Sequence, residues 1–313
     1  MFLNIKNVDF GYQKPLVRNA SASLQTGEIC LIIGNNGVGK TTLLKSVLNQ
    51  IPLLAGEILL AGNNLKTLSN KQIAEQIAVV FSKAEIPANF TLTDLVALGK
   101  YIHYPFYFEL NNEDKRHVLQ IITDLDLEKY ATFPLRNLSD GNLQKAFIGR
   151  ALAQNSPMII LDEPTTHLDE KNKINILKIL RDLAKKHRKL ILFSSHDWRL
   201  AKEFADKIWL VHDGKLDTGI AEEILMKHHE LLNPQLFNLA QGFVAPKIDA
   251  PVLQKEMLYS LLQKNYSVDM SATQFTYDNG FWTVSTEKIN YQCEYFDEII
   301  KLLNKIYHCG NLN

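Results

Sequence analysis

Three short apolar runs dominate the hydrophobic pattern of the chain: Glu28-Ile29-Cys30-Leu31-Ile32-Ile33, Met158-Ile159-Ile160-Leu161-Asp162-Glu163 and Lys189-Leu190-Ile191-Leu192-Phe193-Ser194-Ser195. Runs that stay apolar at every position predict strands buried on both faces, as in a parallel sheet covered by helices. Residues 3–12 and 21–25 predict an antiparallel segment ahead of the first run, and residues 41–48 carry the apolar spacing of a helix. Residues 87–154 lack strand alternation and predict a helical region, clearest over 112–119 and 143–153. The expectation is an α/β domain over residues 1–240, with 1–86 and 155–240 forming its core and 87–154 a helical subdomain.

The pattern changes beyond Pro234. Gln241-Gly242-Phe243-Val244-Ala245-Pro246 and Ala250-Pro251 read as a connector. Residues 252–264 predict a helix, and Val268, Met270 and Ala272 alternate with polar residues. Asp278-Asn279-Gly280 is a hairpin signal, residues 281–291 a returning strand, and Phe296, Ile299, Ile300, Leu303 and Ile306 recur at helical spacing. A small α-β-β-α module over residues 246–313 is expected, near the lower size limit of about 60 residues for an independent core. Its apolar helix faces need cover, either from its own hairpin or from a second copy.

Chemistry enters with Gly34-Asn35-Asn36-Gly37-Val38-Gly39-Lys40-Thr41-Thr42, which fits G-x-x-x-x-G-K-[ST] between a strand and a helix. Such a loop turns several backbone N–H groups and a helix N-terminus toward one anion. Lys40 would supply a mobile charge between the outer phosphates, and the Thr41 hydroxyl a ligand for Mg²⁺. The second apolar run ends in Asp162 and Glu163, placed to reach the Mg²⁺ shell and the attacking water beside such a loop. The third run delivers His196, a candidate γ-phosphate sensor at the carboxyl end of a parallel strand. Leu138-Ser139-Asp140-Gly141-Asn142-Leu143-Gln144-Lys145 opens a helix capped by Ser139; alone it is only a capped helix, although its N-terminus can bind phosphate.

Composition removes competing classes. The chain has 313 residues, 46% hydrophobic and 22% charged, with a formal net charge of zero. That balance suits a full globular core and gives no bulk attraction to nucleic acid or anionic lipid. Cys30, Cys293 and Cys309 show no metal-ligand spacing, and Cys30 reads as a small core residue. An unpatterned odd count suits a reducing compartment. No run approaches the roughly 18 apolar residues of a membrane span, and the first residues lack a signal-peptide stretch. The expectation is a cytoplasmic protein whose membrane role comes through a partner.

Taken in order, the loop at 34–42, the stretch at 138–142, Asp162-Glu163-Pro164, Leu168-Asp169 and Ser195-His196 resemble the ATP-binding cassette subunit of an ABC transporter over residues 2–240. Thr165-Thr166-His167-Leu168-Asp169 and Val96-Ala97-Leu98-Gly99-Lys100-Tyr101 resemble the subclass serving iron-siderophore, haem and cobalamin importers. The resemblance implies a phosphate-loop ABC ATPase core with a helical subdomain, ATP and Mg²⁺ as cofactors, and a homodimer that sandwiches two ATP. In it Tyr12 stacks on adenine, Ser139 and Gly141 face the γ-phosphate held by the other copy, and Asp169 orders the dimer seam. Transmembrane permease subunits are the implied direct partners at the inner face of the cell membrane. A periplasmic or surface binding protein is an indirect partner, and nucleic acid is none.

Two departures stand out. Ser82 occupies the place of a usual glutamine that links the Mg²⁺ and water cluster to the membrane subunit. Asp140 and Asn142 replace a usual glycine and glutamine, and asparagine closes a capping box less well than glutamine. The aromatic cluster of Tyr101, Tyr104, Phe106, Tyr107 and Phe108 suits local packing or docking against a membrane subunit. A soluble ABC ATPase acting on DNA or ribosomes and a non-hydrolysing regulatory module are the alternative readings.

Overall fold

The computed structural model describes residues 1–81, 89–104, 109–166, 168–197, 200, 203–228, 243–286 and 290–307. Ser82, Phe106, Tyr107, Phe108, His167, Gln241 and Gly242 lie outside the described residues. The chain divides into two compact units, Met1–Leu232 and Asn233–Asn313.

The first unit runs β1 (Leu3–Gly11), β2 (Pro15–Leu24), β3 (Ile29–Ile33), α1 (Lys40–Val47), β4 (Ala55–Leu60), β5 (Asn63–Asn64), α2 (Asn70–Gln76) and β6 (Ile77–Val80). It continues through α3 (Leu92–Ala97), α4 (Asn112–Asp124), α5 (Asp140–Ala153), β7 (Met158–Asp162), α6 (Glu170–Lys185), β8 (Leu190–Ser194), β9 (Lys207–His212), β10 (Lys215–Ile220) and α7 (Ala221–Lys227). Among the described residues, β2-β1-β4-β5 form an antiparallel sheet and β10-β9-β3-β8-β7-β6 a second sheet, parallel except for the β9–β10 hairpin.

The central strands are apolar at every position because each face of the second sheet has its own core. Ile29, Leu31, Ile33, Ile159, Leu161, Ile191 and Phe193 face one cluster with helices α3 to α6. Cys30, Ile32, Met158, Ile160, Leu190 and Leu192 face the other, packed with α1 and the antiparallel sheet. Alternating side chains thus enter two different cores, which no amphipathic strand could satisfy.

The helical subdomain is marked by polar caps. The Thr91 side chain accepts from Asp94 N–H and Asp94 returns the bond, a reciprocal box at the start of α3. Asn111 caps α4 and Ser139 caps α5. Of the aromatic cluster, Tyr104 is used locally: its hydroxyl donates to Asp114 Oδ2 at 2.5 Å, and Lys100 Nζ lies 2.8 Å from Asp114 Oδ1. Hydrogen bonds from Lys100 and then Tyr104 hold the Asp114 carboxyl below the usual carboxylate range. Tyr101 is 62% exposed.

The second unit carries β11 (Lys247–Asp249), α8 (Val252–Asn265), β12 (Gln274–Asp278), β13 (Phe281–Ser285), β14 (Asn290–Cys293) and α9 (Phe296–Tyr307). Asn279 and Gly280, with φ of 48° and 89°, make the tight turn that joins β12 to β13. Three expectations need correction. The first strand of the hairpin starts at Gln274, and Val268, Met270 and Ala272 precede it in non-strand backbone. The returning segment is two strands, β13 and β14, paired antiparallel with each other. Among the described residues the sheet is also four-stranded, in the order β11-β12-β13-β14 with β11 parallel to β12, so the unit exceeds α-β-β-α. Its helices cover themselves on that sheet: Leu258, Leu262, Ile299 and Leu303 are fully buried against Phe275, Trp282 and Val284.

Gly99, just past α3, meets α5 at backbone distance. A Cβ there would stand 2.0 Å from the Arg150 carbonyl oxygen and 2.8 Å from Ala153 Cβ. Gly99→Ala is therefore expected to destabilise the protein by about 1–3 kcal/mol. A lowered urea midpoint at unchanged slope is the expected reading.

Candidate functional site

Residues 34–42 leave the end of β3 and enter α1. Gly34 is a packing requirement: an added Cβ would lie 2.5 Å from Val211 O and 2.8 Å from Val38 Cγ2. Gly37 and Gly39 have φ of 82° and 114°, a region open to glycine and strained for other residues. Gly39 is the N-cap of α1 and has no side chain to occupy the first-turn amides, and no acidic residue sits in that turn. The N–H groups of Lys40, Thr41 and Thr42 have no intrahelical acceptor at these positions. An added Cβ at Gly37 would meet nothing within 4 Å, so the outer side of the loop is open. Uncapped donors, a helix dipole and open space together fit a polyphosphate.

Lys40 is only 7% exposed, and its ammonium donates to Gly34 O at 2.7 Å and Asn35 O at 3.1 Å. Burial pushes its pKa down, while the charges of Glu163 and then Asp162 pull it up. Asn35 and Asn36 are exposed on the loop, Val38 is half-buried, and Thr42 is buried in the first turn of α1.

The opposing wall comes from the ends of β7 and β8. Their parallel register sets Asp162 beside Ser194. Ser194 Oγ donates to Asp162 Oδ1 at 2.6 Å and accepts from Glu163 N–H at 3.0 Å. Thr41 Oγ1 donates to Asp162 Oδ2 at 3.4 Å, which joins the phosphate loop to this wall. Glu163 adopts a left-handed φ of 50°, a conformation costing a non-glycine residue on the order of 1–3 kcal/mol. Its side chain is held from both sides: Thr166 Oγ1 donates to Oε2 at 3.0 Å, and His196 Nδ1 stands 3.8 Å from Oε1. Lys40, Thr41, Asp162, Glu163 and His196 thus converge. Ser194 and Thr166 complete the group and were not anticipated. The signal for Ser194 was a hydroxyl ending an otherwise apolar buried strand.

The other expected residues stand elsewhere. Ser139 caps α5 by accepting from Asn142 N–H at 3.4 Å, and Asp140 lies in the first turn, where the helix dipole favours an anion. Asp169 caps α6, accepting from Asn172 N–H at 2.8 Å and from its side-chain amide at 3.2 Å. That amide lies against Gly141, where a Cβ would be 2.7 Å from Asn172 Cγ. Ser139, Gly141 and Asp169 therefore form a second group at adjoining helix ends. Tyr12 sits in the turn between β1 and β2, 62% exposed.

Residues 17–166 match the ABC transporter family. The iron(3+)-hydroxamate import ATP-binding protein FhuC of Bacillus subtilis is 31% identical over 80% of this chain and 93% of its own length. The chain belongs to the ABC transporter family of ATP-binding proteins. The achromobactin transport ATP-binding protein CbrD of Dickeya dadantii is also similar to this ABC protein, 32% identical over 75% of this chain and 87% of that one. Among solved structures, a dimeric bacterial ABC transporter cassette superposes with a TM-score of 0.63 at 26% identity, covering 70% of this chain and 99% of that one. This ABC protein binds ATP and is an ATPase.

Replacing Ser194 by alanine removes the one hydroxyl that serves both carboxylate residues of the ABC protein. Ser194→Ala is expected to cost about 1–3 kcal/mol, because the Glu163 N–H loses its acceptor in a part-buried site. It should also lower kcat on the order of tenfold to a hundredfold, since Asp162 and Glu163 lose their alignment. Urea denaturation and steady-state ATPase assays read the two effects separately.

Proposed function

We propose that this ATPase energises a membrane importer of metal chelates, with an iron-siderophore, haem or corrinoid as cargo. The convergence of Lys40, Thr41, Asp162, Glu163 and His196 at the carboxyl ends of the central strands is the observation that carries the hydrolytic part of this reading. The import part is supported by relatives whose names specify iron(3+)-hydroxamate import and achromobactin transport. The direct partners are transmembrane permease subunits, at whose cytoplasmic face the protein docks. A binding protein outside the membrane delivers the cargo.

ATP supplies the phosphoanhydride bond and Mg²⁺ the charge neutralisation that lets it be cleaved. Thr41 Oγ1 and the Asp162 carboxylate, already adjacent, would hold the Mg²⁺. Lys40 releases the carbonyls of Gly34 and Asn35 and turns its ammonium to the outer phosphates. Glu163 orients and polarises the water, held in position by Thr166 and by its own backbone bond to Ser194. His196 binds the γ-phosphate and senses its loss. Tyr12 stacks on the adenine. Ser139 and Gly141 stand at the N-terminus of α5, and they serve the ATP of a second copy, so the working form is a homodimer with two composite sites. Asp169 sets the seam by fixing the N-terminus of α6. Ser82, in the place of the family's glutamine, would serve the Mg²⁺ cluster through an intervening water or after loop movement.

Glu163→Gln keeps the shape of the side chain but weakens its pull on a water proton. It is expected to bind ATP normally, lose turnover and accumulate as an ATP-bound dimer, whereas Lys40→Ala is expected to lose nucleotide affinity. Size-exclusion chromatography with ATP and Mg²⁺, alongside an ATPase assay, tests both. A Glu163→Gln protein that stays monomeric and still hydrolyses ATP would remove Glu163 from the mechanism. Co-purification from membranes, with mass spectrometry of the partner and bound ligand, tests the importer reading.

A further inference from the structure

Away from the phosphate loop, three side chains from separate elements meet at one atom. His212 ends β9, Asp217 lies within β10 and His228 caps the C-terminus of α7. The turn between the strands is Asp213-Gly214, with φ of 45° and 70°, and its register pairs His212 with Lys215 and Leu210 with Asp217. His228 Nε2 lies 2.8 Å and His212 Nε2 3.3 Å from Asp217 Oδ2. One ligand atom from each of the three residues lies within 4.8 Å of the others, and the two rings stand 5.0 Å apart at 67°.

We propose that His212, Asp217 and His228 bind a divalent first-row transition-metal ion, with Zn²⁺ as the type ion, that clips α7 to the β9–β10 hairpin. Two imidazoles and one carboxylate select this class over Mg²⁺ or Ca²⁺, which take oxygen ligands. Bonds of about 2.0–2.2 Å at tetrahedral angles place neighbouring ligand atoms roughly 3.3–3.6 Å apart, so both nitrogen–oxygen spacings need only small shifts. The three side chains are 33%, 23% and 12% exposed, enough for an ion to enter and for water to take a fourth position. Behind the ring of His212, Nδ1 stands 3.6 Å from Oδ2 of the exposed Asp213, beyond hydrogen-bond range.

Among the described residues, Lys227 opposes the ion. Lys227 Nζ lies 2.8 Å from the same Asp217 oxygen, and its side chain is 63% exposed. The lysine competes for the carboxylate and leaves for water when the metal binds. The site also adjoins the ATP machinery, since His212 follows Val211, whose carbonyl oxygen would lie 2.5 Å from a Cβ added at Gly34.

The test uses full-length protein stripped with a chelator and free of nucleotide. Zn²⁺ is titrated against a chromophoric competitor in millimolar Mg²⁺, and Co²⁺ is added separately to read its visible absorption. Wild type is expected to take one equivalent at micromolar affinity or tighter, with the intense Co²⁺ bands of a four-coordinate site and a higher Tm in Zn²⁺. His228→Gln, whose amide can still bond Asp217 and keep the fold, should bind at least tenfold more weakly. Lys227→Met should bind several-fold more tightly. Wild type that binds no Zn²⁺ at 100 μM would overturn the proposal, as would His228→Gln and Lys227→Met that both match wild type.

Discussion

The parallel pairing of β7 with β8 governs the rest of this structure. A register that sets Asp162 beside Ser194 lets one buried hydroxyl bond both the Asp162 carboxylate and the Glu163 amide. The same strands send alternate side chains into two cores, so a slip of one residue would exchange every buried contact on both faces. The energetic weight of those cores is what holds Glu163 in a left-handed conformation that its own chain disfavours. Strain is thus kept where a carboxylate must point away from its strand and toward the phosphate loop.

Electrostatics follow from that placement. Two carboxylates at adjacent positions would repel, and Lys40 lies near enough to both for its charge to be stabilised by them against its own burial. The phosphate loop meets β7 through Thr41 and Asp162. At Gly34 it runs so close to β9 that an added Cβ would collide with the Val211 carbonyl, so the loop lies against two strands of one sheet. A polyphosphate entering this site finds donors from the loop and a cation already close to the carboxylates it will offset.

The second group of expected residues shows a different economy. Asp169 and Ser139 each cap a helix, and Asn172 connects Asp169 to Gly141. Within one chain these residues serve helix ends; in the function we propose, they act on the nucleotide of a second copy. The small second unit stands apart in kind: its helices bury their apolar faces on their own sheet around Phe275, Trp282 and Val284. On α8, Val252, Leu253 and Met257 remain exposed outside that core.

Local physics made much of this readable from the chain. The loop at 34–42 was legible because a phosphate cradle needs glycine at left-handed positions, with lysine and threonine opening the helix. The central strands were legible because burial on two faces leaves no polar position, and Asn279-Gly280 because few residues tolerate a tight hairpin turn. What escaped depends on pairing between distant segments. Ser194 as the shared partner of Asp162 and Glu163 follows from strand register, and so does β11 joining the sheet beside β12. His212, Asp217 and His228 fall at no motif spacing, and they meet only because a hairpin folds back and α7 ends over it. Periodicity and backbone permissiveness are properties of neighbouring residues, so the sequence alone determined them. Which side chains share an atom is set by the sum of all packing, and only the tertiary structure decided it.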